Sequence, residues 1–275
     1  MAPTTAGAVA IYNPNGPAAI IAFLVFGGVA GKLKDESSKG YFRFGKPRPK
    51  FALQTILGTT FMALGFICRF SRRNHINAWS WLFETLFILI SPCAFLAQMY
   101  GLVPRLATHL NAEQYLVIKG RVIVVLFVLV DITLVIAQLT GTALTITFGK
   151  LVSIGVKLTT AALWVQLAFF ALYFCLAGIS YRRLNRADPT WKYDPAVNRM
   201  FWLIIVSCVC LLIRSIYRVA EYTCGADSKL AQSEPAFYLL DSVPMLIIVS
   251  LFLAFWPPLC LEVPKPSRLN DVQMT

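Results

Sequence analysis

Arg214, Tyr217, Arg218 and Glu221 lie within one long apolar run. Positions 214, 218 and 221 follow i, i+4, i+7 spacing, which puts the three ionised groups on one face of a helix. A guanidinium is a planar fork that grips carboxylate or phosphate oxygens in pairs, and a carboxylate meets an amine. Charge inside a membrane span is costly, so it usually faces the bundle interior, has a partner and marks a function. Three further acids, Glu84, Asp131 and Asp241, lie in other apolar runs, and Gln138 and Thr142 follow Asp131 at i+7 and i+11. This is binding chemistry more than catalytic chemistry. The two histidines, His75 and His109, are assigned to loops on opposite membrane faces. A zinc hydrolase built from seven spans needs several histidines gathered in the bundle. Neither Gly-x-Ser-x-Gly nor His-Glu-x-x-His occurs, so no enzyme, metal or cofactor is expected.

The elements that carry these residues follow from composition. The chain is 57% hydrophobic and 14% charged, with a mean hydropathy of +0.66. A soluble domain carries about 25% charge. The deficit is concentrated in runs near the roughly 20 residues that cross a bilayer core. Seven spans are read at about 17–33, 50–70, 79–101, 121–146, 151–180, 200–221 and 236–258. Short connections make this one all-α bundle, a seven-transmembrane domain over residues 17–260. A disordered extracellular tail is expected at 1–16 and a cytoplasmic tail at 261–275. No Lys or Arg precedes the first span, so it lacks the basic start of a signal peptide and is read as a retained helix.

The net charge of +12 is distributed by topology. Seventeen of the 25 Lys and Arg residues fall in segments 32–50, 102–121, 181–199 and the C-terminal tail. Arg72, Arg73, Lys150 and Lys229 are assigned to loops on the other side, and Arg69, Lys157, Arg214 and Arg218 to span ends. This positive-inside asymmetry predicts an external N-terminus and a cytoplasmic C-terminus. The surplus charge then lies beside an anionic leaflet, which makes the bilayer, not nucleic acid, the implied partner. The seven cysteines are scattered and show no paired framework; a bridge between Cys68 and Cys224 is left open.

Local motifs are weaker. Gly40 to Lys46 matches the first seven positions of a phosphate-binding loop, but Pro47 replaces the required hydroxyl residue and no strand precedes it. It is read as a basic loop. Gly27 and Gly31 form a small-xxx-small pair that permits close helix approach. Pro92 and Pro244 are read as structural kinks, and Lys157 as snorkelling at the outer end of its span.

With the N-terminus outside, Glu84 and Asp241 lie roughly 8 Å inside the outer boundary, and Arg214 roughly 10 Å. Arg69 closes the same end of the second span, and Asp131 lies deeper on the fourth. Two readings follow. Arg214, Arg218 and Glu221 pair with Glu84 and Asp241 to fix helix packing, or the same set lines an outward-facing cavity for a polar headgroup. The second gives the candidate binding set Glu84, Asp131, Gln138, Arg214, Tyr217, Arg218, Glu221 and Asp241.

The run Ile213-Arg214-Ser215-Ile216-Tyr217-Arg218-Val219-Ala220-Glu221-Tyr222, followed by Gly225, Glu234, Tyr238, Asp241 and Met245, closely resembles the fungal RTA-like family. These are seven-span proteins named for resistance to 7-aminocholesterol and grouped as lipid-translocating exporters. Fainter similarity includes Tyr12 with Pro14, Gly65-Phe66 with Arg69, Pro92 with Tyr100, Asp131 with Gln138 and Gly141, and Gln166. Met62 stands where the family pattern suggests an acid, and Trp256-Pro257 where it often has His-Pro.

The resemblance implies a plasma-membrane protein that moves or exports amphipathic lipids, such as sphingoid bases or sterol-like amines, and so confers resistance. Coupling to protons through Asp131 or Glu84 is one route to active export. The same plan also suits a seven-span sensor that binds a lipid or small molecule and signals through cytoplasmic loops.

Overall fold

The computed structural model describes residues 15–44, 50–74, 78–110, 113–147, 151–187, 194–225 and 228–255. The tails at 1–14 and 256–275, with Tyr12, Pro14, Trp256 and Pro257, lie outside the described residues, as do His75 and Lys150.

Among the described residues, seven helices are long and apolar enough to cross a membrane. Hydrocarbon offers no water to backbone N–H and C=O groups, so each run closes its hydrogen bonds within itself as a helix. They are α1 (Gly16–Phe44), α2 (Lys50–Asn74), α3 (Ala78–His109), α4 (Gly120–Thr147), α5 (Val152–Ala187) and α6 (Pro195–Cys224), then a broken seventh span, Glu234–Ala254. The all-α, seven-span expectation holds. Gly225 adopts φ 83°, the left-handed conformation that often closes a helix, and ends α6.

Several helices outrun the spans read from hydropathy. The segment read as a loop from Gly40 is helical to Phe44, and parts of 102–121 and 181–199 are helical too. Lys and Arg are good helix formers, so a helix leaving the bilayer continues until something stops it. The exposed cations Lys32, Lys34, Arg182, Arg183 and Arg186 ride these extensions.

Consecutive helices pack side by side, the seventh span touches both α6 and α1, and α3 reaches α6. Met62, Phe66, Phe95, Met99, Tyr100 and Phe170 fill the interior. Leu24, Leu129, Ile136, Trp164, Trp202 and Leu239 are exposed on the outside. A helix apolar on all sides suits a membrane, where the outer surface meets lipid instead of water.

Small residues do bring helices together, but not at the expected pair. A Cβ at Gly27 would meet only Phe23 of its own helix, and one at Gly31 would meet nothing. The tightest approach of backbone to backbone at a glycine is between α4 and α5. A Cβ at Gly155 would lie 2.5 Å from the Gly141 carbonyl, and one at Gly141 would strike the Thr159 hydroxyl. Sequence pattern finds small-xxx-small pairs, but only the fold decides which of them faces a neighbour.

The seventh span is the irregular one. It opens with Glu234–Phe237, widens into a π-helix at Tyr238–Ser242, and resumes as Val243–Ala254. Pro244 has no N–H to donate and sits just past the widened turn. π-Bulges inside helices are frequent at functional sites. Asp241 lies inside this one and is fully buried.

Candidate functional site

Asp241 is the centre of a network that joins α6, α3 and the seventh span. Arg214 Nη1 donates to Asp241 Oδ2 at 2.9 Å and to the Asp241 main-chain carbonyl at 2.9 Å. Arg218 Nε donates to Asp241 Oδ1 at 2.6 Å, and its Nη1 reaches Glu221 Oε2 at 3.0 Å. Asp241 is thus held by two arginines one helical turn apart, as the i, i+4 spacing demands.

Arg214 makes one further bond. Its Nη2 donates to the carbonyl of Ile88 at 2.9 Å. Ile88 is four residues before Pro92, so it is the carbonyl whose helical donor the proline removes. A freed carbonyl in a membrane must find another partner. Here the guanidinium of α6 supplies it. Pro92 thus creates the acceptor that ties α3 to α6.

A second network lies beside the first. Glu84 Oε1 accepts from Arg69 Nη1 at 2.7 Å, and Glu84 Oε2 pairs with Arg72 Nε at 3.1 Å. Arg69 also reaches Glu234 Oε1 at 3.8 Å, and the same oxygen accepts from the Asn15 backbone N–H at 2.6 Å. The Phe237 ring connects the two networks, with the Arg69 guanidinium 4.2 Å and that of Arg218 5.4 Å from its centroid. Cations over an aromatic face are attracted to its negative centre. Arg69, Arg72, Glu84, Arg214 and Asp241 are all at most 5% exposed.

The predicted residues divide accordingly. Arg214, Arg218, Glu221 and Asp241 come together as one cluster. Glu84 belongs to the adjoining one, paired with α2 and not with α6. Tyr217 is buried on α6, outside these ion pairs. Asp131 stands apart, 5% exposed beside Tyr100, with Oδ2 accepting no hydrogen bond. Gln138 donates to Gln166 Oε1 across α4 and α5 at 2.8 Å, and Gln166 lines a small cavity with Arg214 and Arg218.

Arg72 was assigned to a loop from sequence, yet it is buried in α2 and paired. Its i, i+3 offset from Arg69 is the signal that could have placed both on one face. Arg72→Gln is expected to lower stability by about 1–3 kcal/mol, because it takes the ion-pair partner from the buried Glu84 Oε2. Arg69→Gln should cost more, because it also gives up Phe237 and Glu234. Thermal melts of the purified variants give the order, and an equal or reversed ranking would show that Arg69 is not the hub. Cys68 and Cys224 are both free thiols, so no bridge links them.

The space around the charges is limited. The cavity between α3, α5 and α6 that Arg214 and Arg218 line measures about 30 Å³, roughly one water's share of liquid volume. A much larger cavity of about 290 Å³ opens between the same three helices near their other ends, lined by residues such as Leu106, Phe174, Tyr181 and Ile204. Between the two the interface is closed. Met99, Tyr100, Phe170, Tyr173 and Cys208 are each no more than 2% exposed. Tyr173 donates its hydroxyl to the Met99 carbonyl at 2.7 Å, and its ring meets Tyr100 edge-on at 4.7 Å.

Residues 55–263 match the family described as RTA1 like protein. The chain is similar to three proteins of Saccharomyces cerevisiae. It is 30% identical to Protein RTA1 over 64% of this chain and 56% of that protein. It is 25% identical to Protein RTM1 over 69% and 62%, and 26% identical to Protoporphyrin uptake protein 1 over 71% and 65%. The matches thus span 56% to 65% of these relatives' lengths. No solved structure matches. The family match covers the second to the seventh span and includes both ionic networks, apart from Asn15; this seven-span membrane protein belongs to the RTA1-like family.

Proposed function

We propose that this protein binds amphipathic lipids within its helix bundle and moves them across the plasma membrane, with export and resistance as the consequence. One observation carries the reading: an apolar chamber and a buried ionic network occupy opposite ends of a single interface between α3, α5 and α6. A molecule with a chain and a polar head needs both environments. Mobility of the interface is supported by the prolines within α3 and the seventh span, the two elements that Arg214 joins. The name of one relative refers to uptake of protoporphyrin, and that molecule too pairs a large apolar body with polar groups. The reading assigns no catalytic step and no cofactor.

The headgroup class implied by family resemblance is an amine, as in sphingoid bases and sterol-like amines. Glu84 and Asp241 already hold two arginines each, so an amine at either would have to displace one of them. Purified protein in liposomes should move a fluorescent free-amine lipid between leaflets faster than empty liposomes do. A preference for the free amine over its N-acyl derivative supports the amine class. Equal rates for both would rule that headgroup out, and no movement of any lipid would reject transport.

Ligand binding without movement would favour a sensor. The specific observation on that side is the closed waist at Tyr100 and Tyr173, which separates the two ends of the interface.

The proposed orientation places the N-terminus outside. In sealed cells, a membrane-impermeant thiol reagent is expected to label His75→Cys and to leave Gly40→Cys unlabelled. Labelling at position 40 would invert the topology.

A further inference from the structure

The cavity of about 290 Å³ between α3, α5 and α6 has no role in the ionic site. Its volume is near the low end of the roughly 300–1,000 Å³ typical of small-molecule sites. Leu106, Phe174 and Ile204 give it apolar walls, and Ser180, Tyr181 and Arg182 stand on its α5 side. Arg182 is the one charged side chain among its lining residues, and it is exposed. The cavity lies at the end of the helices that carries Arg183 and Arg186, so the potential at its mouth is positive. We propose that this chamber is a binding site for a single-chain amphiphile with an acidic headgroup, the chain lying among Leu106, Phe174 and Ile204 and the acid meeting Arg182.

Each part of the ligand follows from the walls. Apolar lining takes a hydrocarbon chain, and the volume limits it to a slender one. A cation at the rim with a planar fork selects a carboxylate or phosphate over a neutral or cationic head. The site is separate from the Asp241 network, from which the waist at Tyr100 and Tyr173 divides it. It therefore does not depend on which headgroup that network receives.

Gly178 supplies the test. It lines the chamber, and a Cβ built there meets nothing within 4 Å, so the protein leaves room for a side chain to start at this wall. The probe is a long-chain fatty acid bearing a photoactivatable diazirine, offered to the full chain in nanodiscs of neutral phospholipid. The alcohol of the same chain is the comparison. The acid is expected to label chamber residues such as Leu106 and Phe174. Gly178→Leu should reduce that labelling about tenfold by filling the space, with helix content and melting temperature unchanged. Ala177→Leu, on the same wall, is the second filling variant if Gly178→Leu folds poorly. Arg182→Gln should weaken the acid about five- to tenfold and leave the alcohol alone, through loss of the charged hydrogen bond.

Equal labelling by acid and alcohol in the wild type would overturn the acidic headgroup. Labelling that both filling variants leave intact, or that falls on the outer residues Trp164 and Trp202, would mean an annular lipid and overturn the site. If lipid movement in liposomes persists under either result, the acidic-amphiphile site is rejected while the transport reading stands.

Discussion

Asp241→Asn is expected to be the most damaging single conservative change in the ionic site. The carboxylate is fully buried and satisfies Arg214 and Arg218 together. Neutralising it leaves two buried guanidinium groups competing for weaker acceptors. Breaking a buried pair typically costs about 3–5 kcal/mol. Arg218 keeps Glu221, but Arg214 keeps only main-chain carbonyls. The double variant Arg214→Met with Asp241→Asn removes both the stranded charge and its lost partner, so it should be more stable than Asp241→Asn alone. Coupling between contacting residues is commonly about 0.5–3 kcal/mol. Thermal melts of the purified single and double variants measure it. Strict additivity would mean that the two residues do not hold each other, and the network would lose its structural meaning.

Gly155→Ala is the second large effect, and it lies far from any charge. The new methyl would sit 2.5 Å from the Gly141 carbonyl and 3.1 Å from the Thr145 backbone nitrogen. Both are backbone atoms of α4, which cannot swing aside as a side chain would. The helices must separate, with loss of the packing that drives association in lipid. Overpacking a tight contact costs about 1–3 kcal/mol, occasionally more. Gly178→Ala is the control, because open space surrounds that position. Fluorescence-detected size exclusion should show loss of monodisperse protein for Gly155→Ala alone. Equal profiles for the two variants would mean that α4 and α5 do not meet at these glycines.

Much of the architecture was legible in the chain. Apolar length determines seven spans, because a bilayer accepts only segments that close their own backbone hydrogen bonds. The spacing of Arg214, Arg218 and Glu221 determines that they share a face, because helical periodicity is local. Pro92 and Pro244 determine which backbone carbonyls lose their helical donor, since each lacks an N–H. The paired-ion reading was legible too, because a buried charge without a partner is too costly to keep.

The partners themselves were decided by the fold. Glu84 and Asp241 lie at similar depth in their helices, yet one pairs with α2 and the other with α6. Depth follows from counting residues, but which helices are neighbours does not. The Ile88 carbonyl could be predicted to be free, but not that Arg214 would reach it. The π-turn that carries Asp241 leaves no mark in hydropathy. The larger cavity lies at the opposite end from the charges because side-chain volumes across three helices fail to fill it. Periodicity, length and charge are properties of one segment at a time, and the sequence by itself determined those. Pairing, close approach and empty space are properties of several segments at once, and only the tertiary structure decided them.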